Sequence, residues 1–158
     1  MMKNLKVVNL ADYPQYIEEV STLVWKEWNE QNGIPLSEII YRTKNCIRKD
    51  RAAQTWILLD GDTLVGTTSI WNNDLNGRQD LTPWIACLYI KPEYRRTKLV
   101  WKHMTDLQTT IMSAIKKLGY DKAYCITDHI GLYEKLGWEF LEMAPLKGKT
   151  TRVYEFSI

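Results

Sequence analysis

The sequence predicts an α/β fold in which a central mixed β-sheet is flanked by helices, and three observations carry that reading. Apolar residues recur at three- and four-residue steps in some segments and alternate or run together in others, so helical and strand periods interleave along the chain. The segment Trp84–Ile90 is a continuous apolar, β-prone run, the pattern of a central strand buried on both faces. A long amphipathic segment over 98–118 and a further apolar run over 123–127 follow it, which together read as a βαβ crossover with parallel strands.

The elements follow in order. A short strand over 6–10 is ended by Asp12-Tyr13-Pro14. From Gln15 to Asn29, Ile17, Val20, Leu23 or Val24, and Trp28 mark one face of a helix. Asn32-Gly33-Ile34-Pro35 stops it, and Ser37 is placed to cap a second helix carrying Ile39, Ile40, Cys46 and Ile47. Trp56-Ile57-Leu58-Leu59, the turn Asp60-Gly61-Asp62 and the return from Thr63 to Trp71 form a hairpin. The stretch 72–78, rich in Asn, Asp and Gly, reads as loop. In the 98–118 helix, Val100, Met104, Leu107, Ile111 and Leu118 form the stripe, and Gly119 closes it. After the 123–127 strand, Asp128 is placed to cap a short helix over 130–136, closed by Gly137. Strands over 138–143 and 152–156, around a turn at Lys147-Gly148-Lys149, complete the order β-α-α-β-β-β-α-β-α-β-β.

The 158 residues fit one domain, 1–158, at the usual ~100–200 residues per domain. Hydrophobic content of 45% and charged content of 25% exclude a disordered or collagen-like chain. With 21 Lys and Arg against 19 Asp and Glu, the net charge of +2 gives no support to nucleic acid or an anionic membrane as the main partner. The three cysteines, Cys46, Cys87 and Cys125, have neither disulfide-framework nor metal-ligand spacing. Cys87 and Cys125 read as reduced, buried thiols. No uncharged apolar run reaches the ~18 residues of a membrane span, and no apolar leader block follows Met1, so a cytoplasmic location is expected.

In open α/β sheets ligands bind beyond the carboxyl ends of the strands, which directs attention to the residues after Ile90. There Arg95, Arg96, Lys98 and Lys102 gather at the start of the long helix, with Glu93 the only acid from 91 to 102. Cations at a helix N-terminus oppose its dipole. Free backbone N–H groups combined with cations reward a phosphate or another anion. A solvated basic patch accounts for the same charges.

Two segments bear a family resemblance. LTPWIACLYIKPEYR at 81–95 and GLYEKLGW at 131–138 look like the fourth strand with the entry to the pyrophosphate loop, and the turn before the sixth strand, of the GNAT N-acetyltransferase superfamily. The resemblance implies the GNAT acyl-CoA N-acyltransferase fold, acetyl-CoA as co-substrate without a metal, and an amine acceptor, either a small molecule or a peptide. The protein then acts as a monomer or homodimer. The loop departs from the family pattern R/Q-x-x-G-x-G/A: Arg95 holds the first position, but Lys98 and Val100 replace the glycines, and Trp101 follows. No glycine occurs between Gly77 and Gly119.

Residue by residue, the resemblance implies that main-chain groups of Leu88, Tyr89 and Ile90 pair with the pantetheine arm as an added strand would. Arg95, Arg96, Thr97, Lys98, Leu99 and Val100 face the pyrophosphate. Tyr133 falls on the family's general acid, a phenol that protonates the departing thiolate. Where many family members carry a strand Glu this chain has Trp84, and Asp80 is the nearest carboxylate for a base acting through water. Trp25, Trp28, Trp71 and Trp84 are candidates for the wall of an acceptor pocket, and core packing explains them equally well. Two functions follow: acetyl transfer to a primary amine by direct attack in a ternary complex, or a catalytically impaired protein of the same fold that binds CoA weakly or acts through a partner. Nucleic-acid binding through the basic loop ranks last.

Overall fold

Seven strands form one sheet in the order β1-β2-β3-β4-β5-β7-β6. The structure is a computed structural model that describes residues 5–95 and 98–158, with residues 98–100 described by backbone alone. The strands are β1 (Leu5–Asn9), β2 (Gln54–Asp60), β3 (Thr63–Trp71), β4 (Trp84–Ile90), β5 (Lys122–Thr127), β6 (Glu139–Leu146) and β7 (Lys149–Ser157). The helices are α1 (Ile17–Trp28), α2 (Leu36–Asn45) and α3 (Lys98–Lys117). β4 and β5 are parallel, as a crossover through α3 requires, and the remaining neighbours are antiparallel.

Period-two alternation distributes the sheet's side chains between two layers. Ile57 and Leu59 of β2 pack with Ile17 and Val20 of α1. Leu58, between them, joins Val65, Ile90 and Met104 of α3. The larger core lies under α3, where Leu107, Ile111, Met112 and Ile115 meet Ile70, Ile85, Cys125, Trp138 and Tyr154. A further cluster around Trp84, Tyr124 and Val153 is covered by Leu75 and Leu81 from the loop between β3 and β4. Each fully buried aliphatic or aromatic side chain is worth roughly 1.5–3 kcal/mol.

Four local expectations are corrected. Ser37 caps nothing: α2 begins at Leu36, and Pro35 occupies the cap position. The expected helix over 130–136 is a single 3-10 turn, Glu134–Leu136, ended by Gly137 in the left-handed region at φ 87°. Asp128 does not cap it. Its carboxylate accepts from Lys149 Nζ at 2.6 Å and from Thr151 Oγ1 at 3.4 Å. β6 and β7 are longer than expected, because the ladder continues through Ala144↔Thr151, Pro145↔Thr150 and Leu146↔Lys149 to the Lys147-Gly148 turn.

Candidate active site

The site originates in a fault in the sheet. Along one edge, β4 pairs with β3 from Trp71↔Trp84 to Gly66↔Ile90. Along the other, it is registered with β5 at one pair, Trp84↔Tyr124, beside which the Tyr124 amide donates to the Pro83 carbonyl at 3.0 Å. Beyond that pair the two strands diverge.

A bulge in β4 sits where the divergence begins. Ser69 faces Ala86 and Thr67 faces Tyr89, so Cys87 and Leu88 together oppose Thr68. Cys87 has φ 53°, in the left-handed region that residues other than glycine rarely occupy. A bulge bends its strand and re-aims the residues after it. Here it leaves the backbone of the C-terminal half of β4 without a strand partner on the β5 side, a ready template for an extended ligand.

β3 makes this geometry possible through Gly66. A Cβ built there lies 2.5 Å from the Tyr89 carbonyl oxygen and 2.6 Å from Ile90 Cδ1, so only glycine lets the two backbones approach this closely. Lys91 anchors the far end of β4: its amide donates to the Val65 carbonyl at 2.9 Å, and its ammonium meets Glu19 of α1 at 3.0 Å.

The divergence opens a cleft of about 860 Å³. Its floor is β4 from Ile85 to Ile90, its near wall is α1 and α2, and its far wall comprises the end of β5, Leu132, Tyr133 and the β6–β7 turn. The expected burial of β4 on both faces therefore holds for Trp84, Ile85 and Ala86 and is lost from Cys87 to Tyr89, which are half-buried against the opening. Cys87 is a cleft residue rather than a core thiol, and burial still pushes its thiol well up. Cys125 is buried, and all three cysteines are free.

Leu88, Tyr89, Ile90, Arg95 and Tyr133 all line the cleft. Tyr133 is 7% exposed, stacks on Tyr154 at 5.9 Å between centroids and meets the Trp138 ring edge-on at 5.6 Å. Burial, and secondarily the neighbouring Cys125, hold its phenol above the ordinary range, so it stays protonated at neutral pH. Arg95 turns back on the strand: Nε donates to the Ile90 carbonyl at 2.7 Å, and its guanidinium lies 5.1 Å from the Tyr89 ring centre. Arg96 and Thr97 lie outside the described residues, as do the side chains of Lys98, Leu99 and Val100; the backbone of α3 begins at Lys98.

Asp80 is placed elsewhere. It is exposed, is not part of the cleft lining, and accepts from Arg78 Nε and Nη2, both at 2.9 Å. The Arg78 hydrogen bonds hold its carboxyl below the usual range, the wrong direction for a base. Of the four tryptophans proposed as an acceptor wall, Trp28 and Trp71 reach the cleft, with Trp28 edge-on to Tyr89 at 6.2 Å. Trp84 is fully buried, and the Trp25 indole donates to the Ile34 carbonyl at 2.7 Å.

The folding also brings in groups that the sequence did not mark. Asp74, from the loop after β3, lines the cleft with Cys46, Trp71 and Lys147. The Trp71 indole N–H is buried without a hydrogen-bond acceptor among the described residues. Burial raises the Cys46 thiol, another residue of this lining. Nothing distinguished Asp74 among the polar residues of 72–78; its signal is wholly tertiary. Among the described residues no three His, Cys, Asp or Glu side chains gather as metal ligands, and no helix is long and apolar enough to cross a membrane.

The fold as a whole superposes on solved acetyltransferase structures. An acetyltransferase from Streptococcus agalactiae 2603 superposes with TM-score 0.70 at 16% identity, covering 99% of each chain. An aminoglycoside 6'-N-acetyltransferase complexed with coenzyme A gives TM-score 0.71 at 16% identity over 96% of each chain. A Salmonella typhimurium protein solved with its cofactor acetyl-CoA gives 0.69 at 9% identity, covering 98% of this chain and 94% of that one. No curated protein matches at the sequence level. The sequence profile of the acetyltransferase (GNAT) family matches residues 17–138, and the chain belongs to that family.

Proposed function

We propose that the protein transfers the acetyl group of acetyl-CoA to a primary amine by direct attack in a ternary complex. The observation that carries this reading is the free backbone edge of β4 along the cleft. An extended pantetheine arm adds to that edge as a strand would, using main-chain groups of Leu88, Tyr89 and Ile90, so side-chain identity matters little. Residues 95–100 follow directly and supply the pyrophosphate contacts, with backbone N–H groups at the start of α3 and nearby cations favouring an anion.

Binding and orientation supply most of the rate in such a complex. Main-chain donors of β4 stabilise the oxyanion of the tetrahedral intermediate. The sulfur leaves as a thiolate, and Tyr133, protonated and lining the cleft, is the general acid that neutralises it. Two of the solved relatives are described as bound to coenzyme A or acetyl-CoA, in line with this assignment.

A second reading has its own observation. Arg95 is already engaged by the Ile90 carbonyl and the Tyr89 ring, and Lys98 and Val100 stand where small residues let backbone N–H groups approach a pyrophosphate. This favours an impaired member of the family that binds CoA weakly. Calorimetric titration with CoA and acetyl-CoA separates the two. Micromolar binding, about −8 kcal/mol, supports transfer. No heat at millimolar ligand overturns it.

A further inference from the structure

The acetyl transfer proposed above needs a group that takes a proton from the attacking nitrogen, and the carboxylates of the cleft differ sharply in fitness for that work. Glu27 lies on the exposed side of α1. Asp128 is exposed and engaged by Lys149 and Thr151, and those hydrogen bonds hold it below the usual carboxylate range. Asp74 is half-buried, lines the cleft, and makes no hydrogen bond or ion pair among the described residues.

Its position is fixed by what surrounds it. Lys147 from the β6–β7 turn and Cys87 from the bulge of β4 line the cleft with it, and these two and the buried Cys125 of β5 are its electrostatic neighbours. Asp74 and Tyr133 line the same cleft, whose floor is the free half of β4.

We propose that Asp74 is the catalytic base of the transfer, the group that receives the acceptor's ammonium and removes its proton. The inference rests on the transfer reading above. The acceptor arrives as R–NH3+, and the Asp74 carboxylate takes one proton. The freed nitrogen lone pair forms the N–C bond to the acetyl carbonyl carbon. The C–S bond then breaks, its electron pair going to sulfur, which takes the Tyr133 proton. The amide nitrogen loses its surplus proton to the Tyr133 phenolate through water, and Asp74 releases its own to solvent. The sum is R–NH3+ plus acetyl-CoA giving the N-acetyl amine, CoA thiol and one proton. Desolvation pushes the Asp74 carboxyl up to about 7, with Lys147 opposing, so it is a stronger base than an ordinary carboxylate and is substantially ionised at neutral pH.

The test uses the full chain as wild type, Asp74→Asn and Asp74→Glu, with 1,4-diaminobutane as the probe amine. In wild type, one aspartate carboxyl 13C resonance, absent from Asp74→Asn, is expected to titrate near neutrality and to shift its midpoint downward when the diamine is added. A midpoint near the ordinary ~4, or no response to the amine, overturns the proposal. In acetyl transfer followed by CoA thiol release, Asp74→Asn is expected to lose ~10²-fold or more in kcat/KM together with the acidic limb of the pH profile. Acetyl-CoA affinity is expected to stay within about twofold, and Asp74→Glu to recover part of the rate. An Asp74→Asn variant with wild-type turnover overturns the assignment. If wild type does not acetylate the diamine, the carboxyl resonance decides. Failure of wild type to bind acetyl-CoA overturns the transfer reading and Asp74's role with it; intact binding with turnover independent of Asp74 overturns this inference alone.

Discussion

Trp84 and Tyr124 join β4 to β5 at the closed end of the cleft, with ring centres 5.8 Å apart at 47° and the one registered pair between those strands. The Trp84 side chain is fully buried, and its indole donates to the Leu81 carbonyl at 2.7 Å. Trp84→Ala is therefore expected to cost about 3–5 kcal/mol of stability in urea unfolding. A loss under 1 kcal/mol would show that the apex of the cleft is held by other contacts.

Gly66 controls the floor. A methyl group there meets backbone at 2.5 Å, which cannot swing aside as a side-chain tip does. Gly66→Ala is expected to destabilise by roughly 1–3 kcal/mol, as overpacking does, and to weaken CoA binding by displacing Tyr89 and Ile90. Unchanged CoA affinity in a folded variant argues against strand addition along β4.

Tyr133→Phe removes a hydroxyl while keeping the ring that stacks on Tyr154 and Trp138. Turnover is expected to fall by ~10²-fold or more with CoA affinity nearly intact. Because the phenol is held above its ordinary value of ~10, the wild-type profile is expected to show no Tyr133 limb below that pH. Equal turnover in the variant removes Tyr133 as general acid.

Asp74 also ties stability to pH. Its folded value of about 7 lies above the ~3.9 of an unfolded aspartate, so the folded state binds more protons between those values. The stabilisation is fully present below about pH 4, is lost as pH rises through about 7, and changes little above. Opening to the cleft screens the effect, which is expected to be on the order of 1–2 kcal/mol. Urea midpoints at pH 4, 5, 6 and 8 should show this slope in wild type and not in Asp74→Asn; parallel curves contradict the raised value.

At the start of α3, exchanging both Lys98 and Val100 for glycine tests the pyrophosphate loop. If their Cβ atoms obstruct the phosphates, CoA binds more tightly despite a helix cost of roughly 1 kcal/mol per glycine. Weaker binding instead assigns Lys98 a contribution of charge.

Much of this architecture is legible in the sequence because its causes are local. The 3.6-residue stripe of α3 through Leu107 and Ile111, the apolar run of β4 and the Gly137 stop each follow from periodicity or backbone freedom within a few residues. The 130–136 segment failed that test. It has helix-forming residues but too few to pass beyond one turn, and Asp128 is held by Lys149 and Thr151, distant in sequence, instead of capping it.

The sequence by itself determined the order of the strands and long helices and the crossover, and the resemblance singled out Tyr133, Leu88, Tyr89 and Ile90. Only the tertiary structure decided the chemistry around them. Whether a carboxylate is a base depends on what surrounds it, and that is set by residues far away in the chain. Asp80, beside the strand, is held by Arg78 two residues before it. Asp74, six residues earlier in an unremarkable loop, is brought into the cleft lining with Cys87 and Lys147 and left without a partner among the described residues. Desolvation and long-range contacts are properties of the folded chain, and they separate these two aspartates where composition and spacing do not.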